Sequence, residues 1–212
     1  MDKPRPGRVP RRDVTTLEEL AREAASCTRC DLYQRATATV FGQGRPDALL
    51  VLVGEQPGDQ EDKQGHPFVG PAGHVLDRAL RDSGIKRDDA YLTNAVKHFR
   101  WTARGKRRIH QRPNGTEILA CRGWLEAELA VVGPRITVAL GAVAGEAIFG
   151  RGFRVRDHRG RLEEATVGEW HGPVLTTVHP SSILRTEDAD AREEAFAGFV
   201  ADLVKAREAL AA

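Results

Sequence analysis

Residues 48–54 read Ala-Leu-Leu-Val-Leu-Val-Gly. The run is apolar without a break, closed by Gly54, and followed at once by the polar stretch Glu55-Gln56-Pro57-Gly58-Asp59-Gln60-Glu61-Asp62. A run this short and this uniformly apolar predicts a strand covered on both faces, as in a parallel sheet. Working outward, residues 91–96 (YLTNAV), Ile136–Leu140 (ITVAL) and residues 174–178 (VLTTV) repeat the pattern. Helical segments fall between them. Pro71–Asp82 sets Val75, Leu76, Ala79 and Leu80 on one side. Gly115–Val132, Ala142–Phe149 and a closing segment Ala189–Ala211 also read as helices, and Thr16 followed by Glu19 predicts a capping box opening a helix through about Ala25. Strands alternating with helices predict a three-layer α/β/α sandwich around a central four-stranded, mainly parallel sheet.

A chain of 212 residues suits one core, expected over residues 14–212, with residues 1–13 (MDKPRPGRVPRRD) as a flexible basic arm. That start has no apolar core and does not read as a secretory signal. No apolar run approaches the roughly 20 residues of a membrane span, so a cytoplasmic monomer without membrane attachment is expected. Net charge is only +2, and the cations are clustered. Lys3, Arg5, Arg8, Arg11 and Arg12 form one group; Arg100, Arg104, Lys106, Arg107, Arg108 and Arg112 a second; Arg151, Arg154, Arg156, Arg159 and Arg161 a third. Clusters of this kind usually mark solvated faces, but three of them balanced by acids elsewhere suit a surface that tracks phosphates.

Ligands of open parallel sheets bind beyond the carboxyl ends of the strands. Three polar clusters sit at such ends: residues 54–62, Asn94 with Lys97 and His98, and His179-Pro180-Ser181-Ser182-Ile183-Leu184-Arg185. Each alone reads as a polar turn; all three on one rim read as a site. Cys27 and Cys30 form a C-x-x-C pair, with Cys121 far along the chain. A disulfide is not expected in a cytosolic protein, and the pair does not follow a strand as a thioredoxin-like site would. An iron–sulfur cluster, a zinc site and three unrelated buried thiols all remain open on these residues alone.

The segments GEQPGDQED (54–62), GHPFVGPAG (65–73), TNAVKH (93–98) and HPSSILR (179–185) resemble the uracil-DNA glycosylase superfamily. The resemblance is closest to its iron–sulfur branch, and within that to X-type enzymes that cross-link to uracil-DNA. It runs from Cys27 to the last helix. It implies a four-iron, four-sulfur cluster on Cys27, Cys30, His98 and Cys121; His98 stands where the branch normally has cysteine, and imidazole can ligate iron. The cluster's implied role is structural. The resemblance also implies nucleoid-associated work on uracil-containing DNA, single- or double-stranded.

Breaking a pyrimidine N-glycosidic bond leaves positive charge on the sugar and negative charge on the base, which calls for a carboxylate and a donor. The resemblance gives Glu55 the first role and His179 the second; the Glu55-Gln56 pair departs from the Asp or Asn that often places water in the superfamily. The target base must leave the stack. Phe68 would stack on it, Asn94 would pair with its edge, and the backbone around Gln56 would add contacts. Core packing is the competing reading of Phe68, and a turn cap that of Asn94. Ser181, Ser182 and Arg185 would grip flanking phosphates. Residues 99–114, read as a long connection without regular structure, contain Lys106-Arg107-Arg108-Ile109-His110, similar to the X-type insertion. Lys106, Arg107 and Arg108 would contact phosphates, and His110 would attack C1′ of the sugar, giving a lasting adduct. From spacing alone His110 is a solvated loop residue. A conventional glycosylase with turnover, and a non-catalytic DNA-binding module, are the competing functions.

Overall fold

The computed structural model describes residues 16–211; the basic arm and the first cation cluster lie outside the described residues. The elements in chain order are α1 (Leu17–Ala24), β1 (Gln43–Gly44), β2 (Leu50–Gly54), α2 (Asp59–Gln64), α3 (Pro71–Asp82), β3 (Ala90–Asn94), β4 (Trp101–Arg104), β5 (Arg107–His110), α4 (Gly115–Val132), β6 (Ile136–Leu140), α5 (Ala142–Phe149), α6 (Val155–His158), β7 (Leu162–Val167), β8 (Trp170–Thr177), α7 (Pro180–Leu184) and α8 (Ala189–Ala211). The Thr16 hydroxyl caps α1 by accepting from the Glu19 amide at 3.2 Å.

The main sheet runs β1-β3-β2-β6-β8-β7. Its four central strands are parallel and coincide with the four apolar runs of the sequence. The expectation of four strands is corrected to six: β1 and β7 close the two edges, each antiparallel to its neighbour. β1 is only Gln-Gly, and β7 exposes Leu162, Glu164 and Thr166 along one face. Neither carries the uniform apolar run of a strand buried on both faces.

Alternation along the central strands divides the core. Leu50 and Leu52 of β2 join Ile136, Val138 and Leu140 of β6 against Leu76, Ala79 and Leu80 of α3 and Phe199, Leu203 and Ala206 of α8. Val51, Val53 and Ala139 face the other way, onto Trp124, Leu125 and Leu129 of α4 and Val143 and Ala147 of α5. Two helical layers thus sandwich the sheet, and the carboxyl ends of β3, β2, β6 and β8 open on one rim. A fully buried ion pair lies just under it. The Lys97 ammonium donates to Glu128 Oε2 at 2.5 Å, to Thr93 Oγ1 at 2.7 Å and to the Asn94 carbonyl at 2.7 Å. Glu128 Oε1 accepts from the Tyr91 hydroxyl at 2.9 Å and the Gly42 amide at 3.1 Å.

The segment 99–114 is a second departure from expectation. It folds into a two-stranded hairpin, β4 against β5, in register from Trp101↔His110 to Arg104↔Arg107. Gly105 (φ +58°) and Lys106 form the two-residue turn. Glycine in the first of two loop positions, with positive φ, matches the twist of paired strands. No helix among the described residues is long and apolar enough to cross a membrane.

Candidate active site

Glu55 and Gln56 leave the end of β2, Asn94 ends β3, and His179 follows β8. Gly54 shows how tightly these ends meet: a Cβ there would fall 2.3 Å from Asn94 Oδ1 and 2.5 Å from Phe68 Cζ. The amide of Asn94 and the ring of Phe68 therefore both close over one glycine. At the end of β6, Gly141 (φ +89°) would place a Cβ 2.8 Å from that of His179. The Phe68 ring stacks near His179, centroids 6.4 Å apart with planes at 28°.

Phe68 has φ 56°, the only positive value among the described non-glycine residues. That conformation costs on the order of 1–2 kcal/mol and must be imposed by the surroundings. The Arg87 guanidinium, paired with Asp77, donates to the Pro67 and Phe68 carbonyls at 3.2 and 3.4 Å. Gly73 leaves no room for a Cβ beside the Phe68 carbonyl. Glu61 ties the two flanking loops, accepting from the Gly58 and Gly70 amides at 3.1 and 2.8 Å. Phe68 is also buried in the core with Leu52 and Leu76, so the strain is held in place by packing as well as by these polar contacts.

His179 is held in one protonation state. Its Nδ1 accepts from the Ser181 amide at 3.2 Å and lies 2.8 Å from Ser181 Oγ, which itself accepts from Arg185 at 3.0 Å. The ring proton must then sit on Nε2, making that nitrogen a donor. Burial pushes the imidazole down to about 4, with Arg185 and, when protonated, His110 adding to the drop. Ser182 Oγ donates to the His179 carbonyl at 2.7 Å. Both serines, expected at phosphates, are here engaged with His179.

The hairpin carries His110 to this rim. Its Nε2 lies 3.5 Å from Glu55 Oε1, the imidazole half exposed and the carboxylate mostly buried. Burial lowers the imidazole below its ordinary range, and the Arg185 charge lowers it further. Burial raises the Glu55 carboxyl, opposed by Arg112 and Arg185. His110 and Glu55 thus stand side by side at the strand-end rim, where burial favours the uncharged form of each.

Two clamps that the sequence did not reveal fix the hairpin. The Gln56 amide group donates to the carbonyls of Arg100 at 3.2 Å and Gln111 at 3.0 Å, and accepts from the Arg100 amide at 3.0 Å, closing the hairpin's base. Its side chain is therefore committed to the hairpin, and only its backbone is left for a ligand. Arg108 donates to Asp59 at 2.5 Å and to the fully buried Asp62 at 2.6 Å. It serves as the hairpin's anchor, whereas Lys106 and Arg107 are exposed at the tip. The acidic run 59–62 was the one signal in the sequence, since so many carboxylates beside a strand end need partners.

Cys27, Cys30 and Cys121 come together where α1 meets α4. Burial pushes the bare Cys121 thiol up to about 12, with the neighbouring Cys30 and Cys27 adding to the rise. Among the described residues, no three His, Cys, Asp or Glu side chains form a group that could hold a metal ion. Thiolates are soft ligands that suit zinc and iron–sulfur centres alike. Cys27 Sγ accepts from Trp124 Nε1 and Cys121 Sγ from the Lys97 amide, both at 3.2 Å, the kind of N–H bond to sulfur that tunes cluster ligands. The three cysteines fit the group. His98, which follows Lys97 in the chain, is buried with Nε2 2.8 Å from Thr39 Oγ1; its charged neighbour is Asp62, and no contact with the cysteines is seen among the described residues.

Comparison with known proteins places this geometry in context. A family model described as the Uracil DNA glycosylase superfamily matches residues 41–204. The chain is 36% identical over 177 residues to a type-4 uracil-DNA glycosylase of Thermotoga maritima, covering 83% of this chain and 87% of that one. It is 34% identical to a type-4 uracil-DNA glycosylase of Sulfurisphaera tokodaii, covering 81% and 77%. A type-4 uracil-DNA glycosylase of Archaeoglobus fulgidus is 32% identical over 81% and 84% of the two chains.

Proposed function

The chain belongs to the uracil-DNA glycosylase superfamily, and from that premise we propose that it excises uracil from DNA and keeps the resulting sugar, bonded through C1′ to His110. The excision half rests on the family and on the pocket. Asn94 would read the edge of the flipped base, Phe68 would stack on it, and the Nε2–H of His179 would receive the charge developing at the uracil oxygen. The capture half is carried by one observation: the imidazole of His110 lies 3.5 Å from Glu55 at the strand-end rim.

The bond order is as follows. The C1′–N1 bond breaks and its electron pair leaves with uracil. Glu55 faces the cationic sugar. One imidazole nitrogen of His110 then bonds to C1′, and the other gives up its proton. Glu55, 3.5 Å from the ring, would receive it. The product is a neutral N-alkyl imidazole, a far poorer leaving group than an imidazolium, so the adduct persists. Cys27, Cys30, Cys121 and His98 would hold a four-iron, four-sulfur cluster, which when bound would cross-brace α1, α4 and the segment after β3.

A denaturing gel of the protein with a uracil oligonucleotide tests this. A heat-stable shifted band is expected. Abasic product without a shift would support the hydrolytic reading, and neither result would defeat both. Iron rather than zinc is expected in anaerobically purified protein.

A further inference from the structure

The third cation cluster, residues 150–161, takes no part in the pocket. Both its ends are nevertheless tied to the rim side of the molecule. At one end Arg151 lies against Gly115, the first residue of α4, where a Cβ would fall 3.4 Å from its Nη2 and 3.6 Å from Glu146 Oε1. Glu146 pairs with Arg112, just beyond the hairpin, at 3.2 Å. At the other end Arg159 bridges to Thr176, near the carboxyl end of β8, on the edge where β7 has yet to begin.

Within the segment two arginines meet carboxylates, Arg156 with Asp157 at 3.4 Å and Arg159 with Asp202. Arg159 donates to Asp202 at 2.8 Å, an anchor of the same kind as Arg108 in the hairpin. Arg151, Arg154 and Arg161 are exposed, with no carboxylate within ion-pair distance among the described residues. The stack of Phe149, Phe153 and His158, with centroids 4.5–5.8 Å apart, stiffens the arch from within. Unpaired cations on a stiff arch cost little side-chain ordering when they meet an anion.

We propose that Arg151, Arg154 and Arg161 form a second DNA-backbone contact, gripping phosphates along the segment that runs from the base of the hairpin to β8 while the hairpin tip grips others. The strand ends run in the order Asn94, Glu55, Gly141, His179 across the rim, with the hairpin clamped beside Glu55 and Gln56 and Arg159 bridged to β8. A nucleotide drawn into the pocket leaves its flanking phosphates directed to both sides. The partner chemistry is a polyanion of regular spacing, here the DNA strand that carries the uracil, so the proposal rests on the glycosylase reading.

The test is the salt dependence of binding. Each phosphate contact contributes about −0.9 to the slope of log K against log salt on duplex DNA. On a 30-mer duplex without uracil, the triple variant R151Q/R154Q/R161Q should lose roughly 2–3 from that slope. R151K/R154K/R161K should keep it, since charge rather than guanidinium shape is at work. Uracil release by the glutamine variant at saturating oligonucleotide should match the wild type. If the wild type excises uracil and the glutamine variant keeps the wild-type slope, the second contact is overturned and the glycosylase reading stands. If the wild type neither binds DNA nor excises uracil, both fall.

Discussion

The hairpin β4–β5 and the ends of the parallel strands both deliver residues to the same pocket, but they are built by different physics. Glu55, Asn94 and His179 stand on strands buried on both faces, and Asn94 is further held by the Lys97–Glu128 pair beneath it. His110 stands on a hairpin whose own residues are largely exposed and whose position depends on the polar clamps Gln56 and Arg108. The strand ends are thus part of the core, whereas His110, the proposed nucleophile, stands on an added hairpin. One should be separable from the other.

The largest separation should come from His110→Ala. The adduct should vanish while the pocket stays intact, so water can enter the vacated space and the variant should release uracil repeatedly. Multiple-turnover assays with a gel for the shifted band measure both. Loss of all uracil release would show that the hairpin histidine acts before capture. A surviving band would assign the nucleophile elsewhere.

Lys97→Met attacks the other region. Removing one partner of a buried ion pair costs about 3–5 kcal/mol, and for a chain of this size each kcal/mol lowers the melting temperature by about 2–4 °C. A drop on the order of 10 °C is expected, with excision and capture lost together as Asn94 loses its support. A melting temperature within a degree or two of wild type would mean that the strand ends do not depend on this pair.

Arg108→Met should act on the hairpin alone. Asp62 is left with only the Thr37 and Ala38 amides as partners, and the loosened hairpin misplaces His110. Misplacement by about 1 Å can cost on the order of 100-fold in rate. Product should shift from adduct toward free abasic site, with uracil release little changed. An unaltered adduct fraction would show that Gln56 is sufficient to hold the hairpin.

The same contrast explains what was legible in the sequence. Residues 48–53, 91–96, 136–140 and 174–178 announce themselves because a strand buried on both faces must be apolar throughout. Edge strands and hairpins obey no such demand, so β1, β7 and the hairpin escaped notice, although Gly105-Lys106 was a readable turn. The residue types of the pocket were visible at the strand ends. The clamps were not: Gln56 meets Gln111 and Arg108 meets Asp59 across 55 and 49 residues, and no periodicity records a pairing made by the fold. Arg108 looked like its neighbours Lys106 and Arg107 until the fold set it against two carboxylates.

The smallest effect, in pH, reports on both regions at once. Capture needs His110 neutral and Glu55 ionised. Burial lowers the first below its ordinary 6.5 and raises the second above its ordinary 4.5, so both groups lose the required form as pH falls. The capture rate should fall on acidification, the log rate approaching a slope of about two once both groups are protonated. In His110→Ala only Glu55 remains, and the limiting slope for uracil release should be about one. Stability must be followed in parallel. His110 and His179 have lowered pKa values, so the stability linked to them is complete above about 6.5 and is lost as pH falls, through about 4 for His179. Glu55 has the opposite sign, because its raised pKa favours the folded state on acidification. Melting temperatures measured across the same range separate these contributions from the rates. If the two enzymes gave superimposable acid limbs while both remained folded, His110 would not titrate in the step that matters, and the pairing with Glu55 at 3.5 Å would have no part in capture.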